Sequence, residues 1–91
     1  MTMSINAENV RAAIGEIAAA RPGTSIDPGE VARKLAGTDT KAWGRAMKPL
    51  RAVLLGLAKD GEIEFLRKGK PVAPEDLRGV YRLRVIKLAL Q

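Results

Sequence analysis

Five apolar residues, Trp43, Met47, Leu50, Leu54 and Leu57, recur at steps of four, three, four and three along residues 40–59. At about 100° per residue they form one stripe, flanked by Ala46 and Val53. That spacing commits the stretch to an amphipathic helix with one face on a core. The same arithmetic gathers Lys41, Arg45, Lys48 and Lys59 on the opposite side. Arg51 falls on the flank, and Ala52 and Leu55 share the outward face. Pro49 deletes one backbone bond and crowds the preceding turn. Because the stripe stays in phase across it, a kinked helix is expected rather than two helices.

Two shorter helices precede this one. Asn6 is a candidate cap for a helix over about 7–21, with Val10, Ala13, Ile14 and Ile17 on one face and Pro22-Gly23 ending it. Thr24-Ser25-Ile26 reads as a short extended piece. Asp27-Pro28-Gly29-Glu30 then combines a capping aspartate, proline at the first helical position and a glutamate placed to close a capping box. The helix it starts runs over about 28–36, buries Val31, Ala32 and Leu35, and stops at Gly37. After Asp60-Gly61, a turn dipeptide, Glu62 to Phe65 alternates polar and apolar as a half-buried strand does. Arg67-Lys68-Gly69-Lys70-Pro71 begins a basic loop, and Tyr81, Leu83 and Val85 share one face of a returning strand. Antiparallel pairing would bring Glu62 and Glu64 near Arg82 and Arg84. The tail, 86–91, continues a strand-like alternation.

Ninety-one residues suffice for one domain, over 1–91, mainly α with a small hairpin over about 62–85. Helix, short strand, helix, longer helix and hairpin is the order of a winged helix-turn-helix, three helices with a two- to three-stranded antiparallel sheet. Helix three would be its recognition helix and residues 66–79 its wing. Cysteine and histidine are both absent, which removes disulfides, thiolate chemistry, imidazole bases and nearly every zinc site. Ser4 and Ser25 have no histidine to activate them, and Glu75-Asp76 has no partner base. No catalytic site, cofactor, metal or small-molecule ligand is therefore expected. No run approaches the roughly 18 apolar residues of a membrane span. The opening MTMSINAEN lacks the basic-then-apolar pattern of a secretory signal, so a cytoplasmic protein is expected.

The formal charge is +6, and it is unevenly spread. Residues 1–30 hold two basic against four acidic residues, a net of −2, whereas residues 31–91 hold fourteen against six, a net of +8. A polyanion would meet the last two-thirds of the chain.

From Asp27 onward the chain resembles a family of small, uncharacterised bacterial winged-helix proteins, a domain of unknown function. The resemblance is carried by Asp27-Pro28-Gly29-Glu30-Val31-Ala32-Arg33, by Trp43 with Met47-Lys48-Pro49 and Arg51, and by Leu57-Ala58-Lys59-Asp60-Gly61-Glu62-Ile63. Its most distinctive parts are Arg67-Lys68-Gly69-Lys70-Pro71-Val72 with Pro74, and the closing Gly79-Val80-Tyr81-Arg82-Leu83. Ala20-Arg21-Pro22-Gly23 also fits. The resemblance implies the fold and supplies no activity, so function rests on the surface chemistry.

That chemistry points to double-stranded DNA. Lys41, Arg45 and Lys48 lie on the half of a recognition helix that enters the major groove, with Arg51 at the rim. Arg67, Lys68 and Lys70 in the wing would clamp neighbouring phosphates. The outward face of helix three offers no Asn, Gln, Ser or Asp beyond its first turn, so modest sequence preference is expected, with Arg45 the candidate for a guanine edge. Trp43, Phe65 and Tyr81 all fall on core faces, which disfavours single-strand binding by base stacking. Transcription regulation follows by analogy with the fold. The competing expectation is protein association, including a homodimer, through Leu55, Leu66, Ile86, Leu88 and Leu90.

Overall fold

A computed structural model describes residues 4–88. Helix α1 spans Ala7–Ala20, capped by Asn6, whose side chain accepts a hydrogen bond from the Asn9 amide at 2.8 Å. Helix α2 spans Pro28–Ala36. The Asp27 side chain accepts from the Gly29 amide at 2.9 Å, but the reciprocal arm of the expected capping box is missing. Glu30 instead turns to an ion pair with Arg21, fastening α2 to the end of α1. Helix α3 spans Thr40–Lys59 and continues through Pro49 as one helix. Among the described residues no helix is long and apolar enough to cross a membrane.

Val10, Ile14, Val31, Leu35, Leu50, Leu54 and Leu57 from the three helices meet in one core. Burying each such side chain is worth about 1.5–3 kcal/mol before ordering costs. Trp43 and Met47 occupy the predicted stripe but are only partly buried. The Arg33 guanidinium of α2 lies 5.2 Å from the centre of the Trp43 ring, covering it with a cation in place of a hydrocarbon layer.

The sheet has three strands, β1 (Ile63–Arg67), β2 (Lys70–Val72) and β3 (Arg82–Val85), in the order β2-β1-β3, all pairing antiparallel to β1. The basic stretch read as a loop is thus a tight hairpin. Arg67 pairs with Lys70 across a two-residue turn, Lys68-Gly69, in which both residues have positive φ (53° and 79°). That geometry matches the right-handed twist of the strands. Ile26 exchanges two backbone bonds with Leu83 (2.7 and 2.8 Å), so the short extended piece before α2 covers the outer edge of β3. Since β2 and β3 lie on opposite sides of β1, residues 73–81 must cross β1. They do so beside α3, through a 3-10 turn at Pro74–Asp76, with Leu77 and Tyr81 sunk in the core. Tyr81 meets Phe65 edge-on, ring centres 5.4 Å apart.

Two of the four expected cross-strand charges find other partners. Glu64 faces Arg84 in register and forms the ion pair. Arg82 instead donates to the Ser25 hydroxyl and carbonyl (2.7 and 2.8 Å). Glu62 precedes β1 and is buried, where Arg11 of α1 grips its carboxylate with two bonds of 2.8 Å. This hydrogen bond raises the Arg11 pKa above its ordinary value, so the guanidinium stays charged. The Glu62 carbonyl accepts from the Ile86 and Lys87 amides. The chain leaves the sheet there, so the expected strand-like tail is a bend at Ile86, with Leu88 against the core. Residues 89–91, including Leu90, lie outside the described residues.

Candidate nucleic-acid interface

Lys41, Arg45 and Lys48 are exposed on the side of α3 that faces away from Leu50, Leu54 and Leu57. Lys48 lies seven positions beyond Lys41, about 10 Å along the axis. Between and beyond the cations this face holds Gly44, Pro49, Ala52 and Gly56, all exposed. A Cβ built on Gly44 or Gly56 meets nothing within 4 Å. The face is therefore low in relief, with cations projecting from a surface that another molecule can approach closely.

The hairpin places three exposed cations in four residues, Arg67, Lys68 and Lys70. Arg67 and Lys70 stand directly opposite each other, an arrangement that destabilises a sheet unless a counter-charge lies nearby. The four ion pairs among the described residues use Arg11, Arg21, Lys34 and Arg84. None uses Lys41, Arg45, Lys48, Arg67, Lys68 or Lys70. Folding consumes one set of cations in holding helices and strands together and leaves the other facing solvent.

Arg51 differs from the other six predicted site residues. It is half-buried, donates to the Leu77 carbonyl at 2.9 Å and lies 6.0 Å from the centre of the Tyr81 ring. Its contacts are with the protein, and they hold the crossing segment against the flank of α3, about 60° around the axis from Lys48. Tyr81 has its pKa raised, chiefly by burial, with the Arg51 cation opposing the shift and Asp27 adding to it. Arg67 reaches the same segment at Gly79. One of its terminal nitrogens lies 3.8 Å from where a Cβ on Gly79 would be. Leu77 and Gly79 are two residues apart, at most about 7 Å of chain, so a short segment lies against both the Arg51 and the Arg67 guanidinium. The segment thus joins α3 to the turn end of the hairpin, where Arg67 stands.

The sequence reading passed over Arg78. It is exposed between Leu77 and Gly79, in a stretch with no periodicity to single it out. Only the burial of Leu77 and Tyr81 on either side shows that it is presented outward. Glu75 and Asp76 on the 3-10 turn are also exposed and give the crossing segment acids of its own, without an ion pair to any predicted site residue. Of the residues motivating protein association, Leu66 is buried, while Leu55 and Leu88 pack against the core. Ile86 is 53 % exposed.

Residues 7–86 match a family described as a protein of unknown function (DUF3253). No curated protein matches the chain.

Proposed function

Because the chain belongs to the DUF3253 family, whose description assigns no function, we propose one from its surface. It is a winged-helix module that binds double-stranded DNA, with α3 in the major groove and the β1–β2 hairpin as a wing on the flanking backbone. The observation that carries this reading is the set of six exposed cations, Lys41, Arg45, Lys48, Arg67, Lys68 and Lys70, left without an acidic partner among the described residues. The order of helices and strands, and the closure of β3 by Ile26, agree with a winged helix-turn-helix. The shallow face of α3 suits close approach to a groove, and its donors are cations, so phosphates set most of the affinity and Arg45 addresses a guanine edge. A role in transcription follows by analogy with the fold.

The test is a fluorescence-anisotropy titration against random-sequence duplex at two salt concentrations. Six neutralised phosphates give a slope of log affinity against log salt of about −5, and so about a thousandfold loss between 50 and 200 mM salt. Arg45→Glu and Lys68→Glu each weaken binding and flatten the slope while the fold, read by circular dichroism, is kept. A slope near zero, or equal binding by all three proteins, refutes the reading and leaves association through Ile86 in front.

A further inference from the structure

Two large hydrophobic side chains are exposed among the described residues, Ile86 and, at 87 %, Val80. Val80 ends a three-residue tip, Arg78-Gly79-Val80, every member of which is exposed. The tip is bounded by two buried anchors, Leu77 and Tyr81, and Arg51 touches both, through the Leu77 carbonyl and the Tyr81 ring. Gly79 has φ +63°, a conformation L side chains rarely adopt, and Arg67 backs onto it. A narrow aliphatic point is thus held firmly at both ends, with one guanidinium within the tip and another behind it.

This chemistry fits the minor groove of a duplex. That groove is about 6 Å wide, too narrow for a helix, and its negative potential attracts arginine most strongly where it narrows. Proteins that enter it combine arginine with aliphatic side chains. At A·T pairs its floor carries acceptors alone, whereas at G·C pairs guanine adds the N2 amino donor. Arginine is a donor without an acceptor, so a guanine amino group both blocks Val80 and faces Arg78 with a second donor.

We propose that Arg78-Gly79-Val80 is a second duplex-reading element, which enters the minor groove beside the stretch taken by α3 and selects floors lacking the guanine amino group. The inference rests on the duplex-binding reading above. Arg78 and Val80 make the contact, and Arg51 is a positioning residue that holds the tip.

Inosine separates this element from α3. An inosine·cytosine pair shows the major groove of G·C and lacks the amino group in the minor groove. Three duplexes, A·T, G·C and I·C, are titrated with the full chain and with Arg78→Ala, Val80→Ser and Arg45→Glu. The unmodified protein binds I·C, which keeps the major-groove edge offered to Arg45, about fivefold more tightly than G·C. Arg78→Ala brings the I·C to G·C ratio close to one and Val80→Ser lowers it, whereas Arg45→Glu weakens all three duplexes and leaves the ratio standing. Equal binding of I·C and G·C by the unmodified protein overturns the inference while duplex binding survives. So does a ratio unchanged in both tip variants. Failure to bind any of the three duplexes overturns the functional reading itself and takes the inference with it.

Discussion

Arg51→Met removes the guanidinium that holds the crossing segment and keeps most of the apolar stem that packs beneath it. The bond to the Leu77 carbonyl is 2.9 Å long and charge-assisted, a class worth about 1.5–3 kcal/mol, and half-burial places it at the lower end. The Tyr81 ring lies at 6.0 Å, the outer range of a cation–π contact, adding about 0.5 kcal/mol. The expected loss is about 2 kcal/mol. At about 4–8 °C per kcal/mol for a domain of this size, the melting temperature falls by roughly 8–16 °C. Differential scanning calorimetry reads the shift, with Arg45→Met as reference. Arg45 makes no ion pair among the described residues, and its replacement is expected to stay within about 0.5 kcal/mol. Amide exchange in the same variant should quicken over 77–81 before it quickens in α1. Equal melting by the two variants would show that Arg51 holds nothing, and the firmness ascribed to the tip would go with it.

Tyr81 is the sole tyrosine, so its ionisation is read directly by ultraviolet difference absorbance. With its folded pKa raised, the native state keeps the phenol neutral while the unfolded chain ionises near pH 10. Stability is fully present below that value and is lost as pH rises from it through the folded pKa. Titration at the ordinary value in the intact protein would contradict the burial. In Arg51→Met the phenol should ionise at still higher pH, because the one cation opposing the shift is gone. Lys68→Asn suits the positive φ at the hairpin turn and should stabilise by about 0.5–1 kcal/mol in chemical denaturation, while the salt slope of duplex binding shrinks by about 0.9. Leu54→Ala empties a fully buried position and should cost about 2–5 kcal/mol by the same measurement. A cost below 1 kcal/mol would mean that α3 is not moored where the core places it.

The helices were legible because their ends are chemically marked. Asn6, Asp27-Pro28 and Gly37 each fix a boundary through a local hydrogen bond or a backbone conformation. The apolar stripe of α3 was legible as a direction but not as a depth. Leu50, Leu54 and Leu57 reach the interior, whereas Trp43 lies under Arg33, and nothing in α3 itself foretells that cover. Strand β2 escaped because three residues containing Pro71 show no alternation, and pairing to β1 alone makes them a strand. The charges divide in the same way. Glu64 and Arg84 are set by register, but Glu62 with Arg11 and Arg82 with Ser25 depend on how α1 and the piece before α2 dock. The exposed cations of α3 follow from helical periodicity, while Arg78 is visible only once its neighbours are known to be buried.

Pro49 divides α3 into unequal halves. It has no amide hydrogen, so the carbonyl of Arg45 lacks the bond that position 49 would otherwise donate. Beyond the proline, Leu50, Leu54 and Leu57 moor the helix deeply; before it, Ala46 is buried and Trp43 and Met47 are only partly so. The half that carries Lys41, Arg45 and Lys48 is thus the lightly tethered end of a rod with a soft joint at its middle. Such a rod can trim its tilt to the curvature it meets, giving up a few wobbling orientations instead of bending its whole scaffold.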